Sequence, residues 1–93
     1  MSERAVTRVK ITNRLGLHAR PAMAFVDLAS SFACRVSVRR VDEGEEVDGK
    51  SIMQMMMLAA TAGTELEIAA EGDGAEGAVE ELRDLVKRKF GEE

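Results

Sequence analysis

Apolar and polar residues alternate along four short stretches of the chain, and a period of two is typical of strands that are covered on one face. In residues 5–12, for example, Val9 and Ile11 share one face, whereas basic side chains occupy the other. The remaining stretches are residues 34–41, 46–48 and 65–70. We therefore predict four strands, with a tight polar turn between the second and the third.

Three further stretches are predicted to be helices, the first and third from apolar residues at helical spacing and the second from its N-terminal signal. The first runs from Pro21 to about Ser31. The second starts at a capping box, in which Ser51 is followed three residues later by Gln54. The third begins at Ala75, and we assign it to packing alone because of its regular apolar stripe. That stripe consists of Ala78, Val79, Leu82, Leu85 and Val86.

The predicted order is strand, helix, strand, strand, helix, strand, helix. Such a chain makes a four-stranded sheet with helices covering one face, which is an α+β open-faced sandwich. The periodicity alone leaves the order of the strands open and allows a ferredoxin-like arrangement of the same elements. At 93 residues, the chain has the length of one domain, residues 1–93.

Charge and composition narrow the classes of function. The net charge of −4 and the absence of Trp and Tyr argue against nucleic-acid binding. With no apolar run of about 20 residues and no signal-peptide pattern, we expect a cytoplasmic protein that does not insert into membranes. Cys34 is the only cysteine and the acidic run at 42–48 lacks a metal-ligand pattern, so we expect no disulfide, metal or cofactor.

The candidate chemistry lies where the chain's only histidine, His18, comes just before its only proline, Pro21. Proline suits the first turn of a helix and biases Arg20 away from helical angles, so the helix should begin close to His18. The first amides of a helix, here those of Ala19 and Arg20, have no intrahelical partners. Together with the helix dipole and the Arg20 guanidinium, these amides form a binding site for a phosphate.

A histidine beside this phosphate-binding site can act as a nucleophile. The positive surroundings favour a neutral imidazole with a free lone pair, and the same donors can then hold the charge of an attached phosphoryl group. Nothing nearby activates water, which indicates a carrier. We expect Gly16 to adopt a positive φ and Leu17 to anchor the loop in the core. The alternative from the residues alone is that His18 only caps or packs at the helix start.

Residues 11–23 (Ile-Thr-Asn-Arg-Leu-Gly-Leu-His-Ala-Arg-Pro-Ala-Met) resemble the active-site signature of the HPr family, the histidine-containing phosphocarrier proteins of the bacterial phosphotransferase system. The resemblance continues through residues 49–53 (Gly-Lys-Ser-Ile-Met) to residues 70–72. It implies an HPr-like sandwich with an antiparallel sheet. It also implies that His18 accepts a phosphoryl group, on Nδ1 in the family, from phosphorylated enzyme I. His18 then passes the group to an enzyme IIA-type acceptor, and Arg20 matches the family's active-site arginine.

The second motif of the resemblance, residues 49–53, implies a regulatory site and a docking surface. Ser51 matches the serine that HPr kinase/phosphorylase modifies in many members, so this kinase is a further candidate partner. Apart from Gln54, the seven residues after Ser51 are apolar, and flexible methionines suit a surface that binds several partners in turn. The resemblance favours Ile52, Met53 and Met56 as the docking patch, and Met23 could also contact a docking protein.

Two classes of function remain open. The chain is either a phosphoryl carrier or a regulatory binding module whose docking depends on phosphorylation at His18 or Ser51. The context of Asn13 and Leu15 and a longer hairpin are also similar to the nitrogen-type branch, which passes phosphate to regulatory acceptors and not to sugar transporters. We expect a monomer with a covalent phosphohistidine intermediate and no independent turnover, which leaves open whether it counts as an enzyme.

Overall fold

The computed structural model describes residues 3–92, and all seven predicted elements are present. The strands are β1 (Arg4–Lys10), β2 (Arg35–Arg40), β3 (Glu46–Asp48) and β4 (Glu65–Glu71). The helices are α1 (Ala19–Ser30), α2 (Ile52–Met57) and α3 (Ala75–Lys87). A short 3₁₀ turn (Lys89–Gly91), which the periodicity did not predict, comes after α3.

The four strands form one antiparallel sheet in the order β1-β4-β2-β3. β1 is therefore an edge strand, whereas a ferredoxin-like arrangement would place it in the centre. The helices cover one face and the other face is open, so the predicted α+β open-faced sandwich is confirmed. Alternation along the strands produces this division, because successive side chains of a strand point to opposite faces of the sheet.

The covered face holds a single hydrophobic cluster. Val38, Leu66 and Ile68 are fully buried on the sheet side, and all five residues of the predicted α3 stripe are buried against them. The open face carries charged rows instead, of which one pairs Glu67 with Arg8 on one side and Arg39 on the other. This segregation of apolar and charged side chains confirms the strand alternation that the sequence predicts.

The boundaries differ from the prediction mainly at the start of α1. The helix begins at Ala19, two residues before Pro21, so Arg20 is helical despite preceding a proline. The restriction before proline is a preference, and the buried Pro21 ring and the fixed end of the preceding loop outweigh it here. β1 also ends at Lys10 and not at Thr12, although Ile11 remains fully buried.

Candidate functional site

The loop that precedes α1 is fixed against the segment after α2. The amide of Leu17 donates to the carbonyl oxygen of Ala60 at 2.8 Å, and the Leu17 side chain is buried as predicted. Gly16 has the predicted positive φ, +69°. A Cβ atom at Gly16 would lie 2.6 Å from the carbonyl oxygen of Ala60, so both the backbone angle and the close approach require glycine.

His18 is the N-cap residue of α1, with extended backbone angles and no hydrogen bond from its side chain to the helix. Its carbonyl oxygen accepts from the amide of Ala22 at 3.0 Å. Because Pro21 has no N–H, the amides without an intrahelical partner at this end are those of Ala19 and Arg20. The helix start thus leaves two backbone donors beside the imidazole, and these are the two residues predicted from the sequence.

The Arg20 side chain is exposed on this first turn. Among residues 3–92 it forms no hydrogen bond or ion pair, so its guanidinium is available to an incoming anion. Arg20 and the two amides lie on the same turn of α1 as His18, which brings together the predicted phosphate donors.

The imidazole contacts a carboxylate that the sequence pattern did not indicate. Nε2 of His18 lies 3.0 Å from Oε2 and 3.3 Å from Oε1 of Glu92, and the His18 side chain remains 36% exposed. An ionised carboxylate only accepts, so this contact requires a hydrogen on Nε2. In the neutral ring the lone pair is then on Nδ1, which is the nitrogen that the family resemblance implies.

Asn13 holds the Glu92 carboxylate in turn. Its side chain is fully buried, and Nδ2 donates to Oε1 of Glu92 at 3.0 Å and to the carbonyl oxygen of Gly16 at 2.7 Å. Both neighbours are acceptors, which fixes the orientation of the amide, and Oδ1 has no partner among the described residues. Asn13 therefore joins the reactive loop, which is residues 11–18 before α1, to the last described turn of the chain.

The expected positive surroundings are only part of the environment of His18, because Glu92 adds a negative charge at Nε2. The assignment of the last helix to packing alone also overlooked the turn at its end. Lys89, Phe90 and Gly91 all have positive φ and Phe90 is buried, so the chain turns sharply there and brings Glu92 to the loop. The only signal in the sequence was an apolar residue before glycine, directly after the basic end of α3.

The second motif lies on α2. The Ser51 hydroxyl accepts from the amide of Gln54 at 3.2 Å, so the predicted cap is present. The Gln54 side chain does not return to Ser51 as in a full capping box, because its Oε1 accepts from the amide of Asp48 at 2.8 Å. Gln54 thus ties the start of α2 to the end of β3.

The apolar run of α2 divides between the core and the surface. Met55 is fully buried, whereas Met53 is 77% and Met57 72% exposed. Ile52, Met56 and Met23 of the predicted docking set are also exposed. Leu15 is a further exposed apolar residue that the prediction did not include. A six-residue helix on the surface cannot bury all its sides, and the structure decides which ones remain open.

Residues 3–92 contain neither a metal-binding cluster nor a membrane-spanning helix. No group of three or more His, Cys, Asp or Glu side chains within these residues is arranged to hold a metal ion. No helix in this part of the chain has the length and apolar character needed to cross a membrane.

Comparisons with known proteins agree on one family. The family model described as "PTS HPr component phosphorylation site" matches residues 5–88. Phosphocarrier protein HPr of Pseudomonas aeruginosa is 46% identical over 84 residues, which cover 90% of this chain and 92% of that protein. Phosphocarrier protein NPr of Escherichia coli is 38% identical over 85 residues, covering 91% and 93% of the two chains.

A solved structure shows the same fold. The crystal structure of HPr-C-His from Thermoanaerobacter tengcongensis has a TM-score of 0.90 and 42% sequence identity, and the match covers 96% of this chain and 98% of that one. Sequence, family model and fold therefore converge on the match that residues 11–23 and 49–53 indicate. The chain belongs to the HPr family of phosphocarrier proteins of the phosphotransferase system.

Proposed function

We propose that this chain, as one domain, accepts a phosphoryl group on His18 from phosphorylated enzyme I and passes it to an enzyme IIA-type acceptor. The observation that carries the proposal is the arrangement at the start of α1. A partly exposed imidazole has one nitrogen held by Glu92, and the free amides of Ala19 and Arg20 lie beside it. The exposed Arg20 guanidinium adds a cation for the phosphate.

The transfer uses the Nδ1 lone pair. It forms a bond to phosphorus while the bond from phosphorus to its carrier group on enzyme I breaks and leaves its electron pair with that group. The imidazole ring gains positive charge in this step, and the Glu92 carboxylate stabilises that charge through Nε2–H. The two amides and Arg20 stabilise the phosphoryl oxygens. Transfer to the acceptor reverses these steps, and no cofactor takes part.

The test is incubation of the protein with enzyme I and labelled phosphoenolpyruvate. The expected product carries an acid-labile, alkali-stable phosphate, as a phosphohistidine does, and loses it when an enzyme IIA-type acceptor is added. A label that survives acid, or no label at all, would contradict the carrier function.

We infer that Met23, Ile52, Met53 and Met56 form the docking patch for these partners, because they are exposed and lie on α1 and α2, two helices that contact each other. Met53→Glu is expected to weaken enzyme I binding about tenfold, since it places a charge in an apolar contact. Binding is measured by calorimetry, with thermal unfolding as the check of the fold. Met55→Leu, a volume-conserving change inside the core, is the control, and unchanged affinity of Met53→Glu would remove the patch from the proposal.

Ser51 is the proposed regulatory phosphorylation site. A phosphate at this N-cap is tolerated by the helix dipole but places negative charge beside the docking patch. HPr kinase/phosphorylase with ATP is expected to give an acid-stable phosphate that is absent in Ser51→Ala and that lowers the rate of labelling by enzyme I. The absence of acid-stable phosphate on the folded protein would contradict this role.

A regulatory acceptor of the nitrogen-type branch is the second candidate, and the match to Escherichia coli NPr favours it. A sugar-type and a nitrogen-type IIA acceptor, offered to the labelled protein at equal concentrations, would be distinguished by the rates at which they dephosphorylate it.

We further infer a cytoplasmic monomer. Arg8 and Lys10 line the exposed edge strand β1 and disfavour edge-to-edge pairing, and sedimentation equilibrium measures the mass.

A further inference from the structure

Arg40, the last residue of β2, lies between the Asp42 carboxylate and two backbone carbonyl oxygens at the end of α2. Its Nε and Nη2 donate to the two carboxylate oxygens of Asp42 at 3.1 and 3.0 Å. Its Nη1 lies 3.2 Å from the carbonyl oxygen of Leu58 and 3.5 Å from that of Ala59. The side chain is only 20% exposed. Through this side chain the hairpin after β2 contacts the end of α2 directly.

The carbonyls that Arg40 contacts belong to a segment that joins both parts of the site. Residues 58–61, the connecting segment, come directly after α2 and include Ala60, whose carbonyl oxygen accepts from Leu17 in the reactive loop. Gly16 packs on the same segment at Ala60 and Thr61. Any displacement of the connecting segment therefore moves the exposed methionines of α2 relative to His18.

The connecting segment does not have a conformation that it would hold unaided. Ala59 has a φ of +48°, and the left-handed region is unfavourable for a residue with a Cβ atom. The last carbonyls of a helix also lack intrahelical donors. The guanidinium supplies a donor and a positive charge at the negative end of α2. Asp42 fixes the guanidinium, and the hydrogen bond from Arg40 lowers the pKa of the Asp42 carboxyl, which favours the ionised pair.

We propose that Arg40 is a positioning residue for phosphoryl transfer: its guanidinium, oriented by Asp42, holds the connecting segment so that the docking surface on α2 and the reactive loop keep one relative geometry. The inference rests on the proposed carrier function. It assigns a role in docking to a hairpin in which the sequence indicates only a tight polar turn.

The test compares Arg40→Met with Arg39→Met. Arg39 is a matched control because it is also half-buried and paired with a carboxylate, Glu67, but it lies on the open face of the sheet. Arg40→Met is expected to raise the KM for labelling by enzyme I about tenfold with kcat changed less than about twofold, whereas Arg39→Met keeps the KM of the parent protein. Arg40→Lys should recover part of the loss, because an ammonium can reach the carbonyls but cannot form the two-point contact with Asp42.

Hydrogen exchange supplies a readout that does not depend on activity. The amide of Leu17 is expected to exchange faster in Arg40→Met and at the parent rate in Arg39→Met. If Arg40→Met does not fold, Asp42→Asn provides the same comparison with a smaller expected change in the same direction. Equal KM values and equal Leu17 exchange in the Arg40 and Arg39 variants would overturn the proposal. A parent protein that takes no phosphate from enzyme I would contradict the carrier function, and Leu17 exchange would still decide whether Arg40 holds the segment.

Discussion

Replacing His18 with alanine is expected to abolish the acid-labile label from enzyme I and phosphoenolpyruvate, a loss of at least about a thousandfold. His18 is the only histidine among the 93 residues. A phosphate on a hydroxyl group such as that of Ser51 would be an acid-stable ester, and one on the Glu92 carboxylate beside His18 would be an acyl phosphate that alkali cleaves. The expected readout is therefore the disappearance of one class of phosphate, measured by acid and alkali treatment of the labelled protein.

The alanine variant should remain folded, which makes the result interpretable. The His18 side chain is 36% exposed and forms no cap bond to the helix, so we expect a change of less than about 1 kcal/mol in the free energy of unfolding. Urea unfolding of the variant and the parent protein tests this. Labelling of the variant at the parent level would remove His18 from the mechanism, whatever the stability.

Glu92→Ala is expected to slow labelling by about a hundredfold and Glu92→Gln by about tenfold, which correspond to about 2.7 and 1.4 kcal/mol in the barrier. In the proposed transfer, the carboxylate holds the hydrogen on Nε2 and stabilises the positive ring that forms when Nδ1 binds phosphorus. Glutamine keeps an oxygen that can accept from Nε2 but loses the charge. Alanine loses both and also leaves the Nδ2 donor of buried Asn13 with one acceptor fewer.

Rapid-quench kinetics at saturating enzyme I measures the transfer step itself. Glu80→Gln, which removes an exposed carboxylate from α3, controls for the change in net charge and should leave the rate unchanged. A Glu92→Ala variant that transfers phosphate as fast as Glu80→Gln would show that the contact with Nε2 has no role in the reaction.

Much of this fold could be predicted from local patterns. The period of two located the four strands, and all five residues of the predicted α3 stripe are buried, because burial on one face imposes that spacing. Helix α1 begins at Ala19, close to His18 as the position of Pro21 predicts, although the apolar spacing alone places its first residue at Pro21. The preceding loop, which is tied to Ala60, helps to fix this start.

The residues of the candidate site were likewise predicted only in part. The histidine, the two helix-start amides and the arginine at position 20 lie close together in the sequence, so a short motif contains them. Glu92 comes 74 residues after His18, and no periodicity relates the two. The sequence pattern also does not distinguish Met55 from Met53. The two are equally apolar, although Met55 is buried and Met53 is exposed.

The sequence by itself determined the seven elements, the candidate histidine and the family, because each depends on patterns within short stretches of the chain. The tertiary structure decided which carboxylate touches the imidazole, which methionines face outward and which arginine reaches the end of α2. These contacts join parts of the chain that are far apart. They arise only when the helices pack on one face of the sheet and the turn after α3 brings Glu92 to the loop.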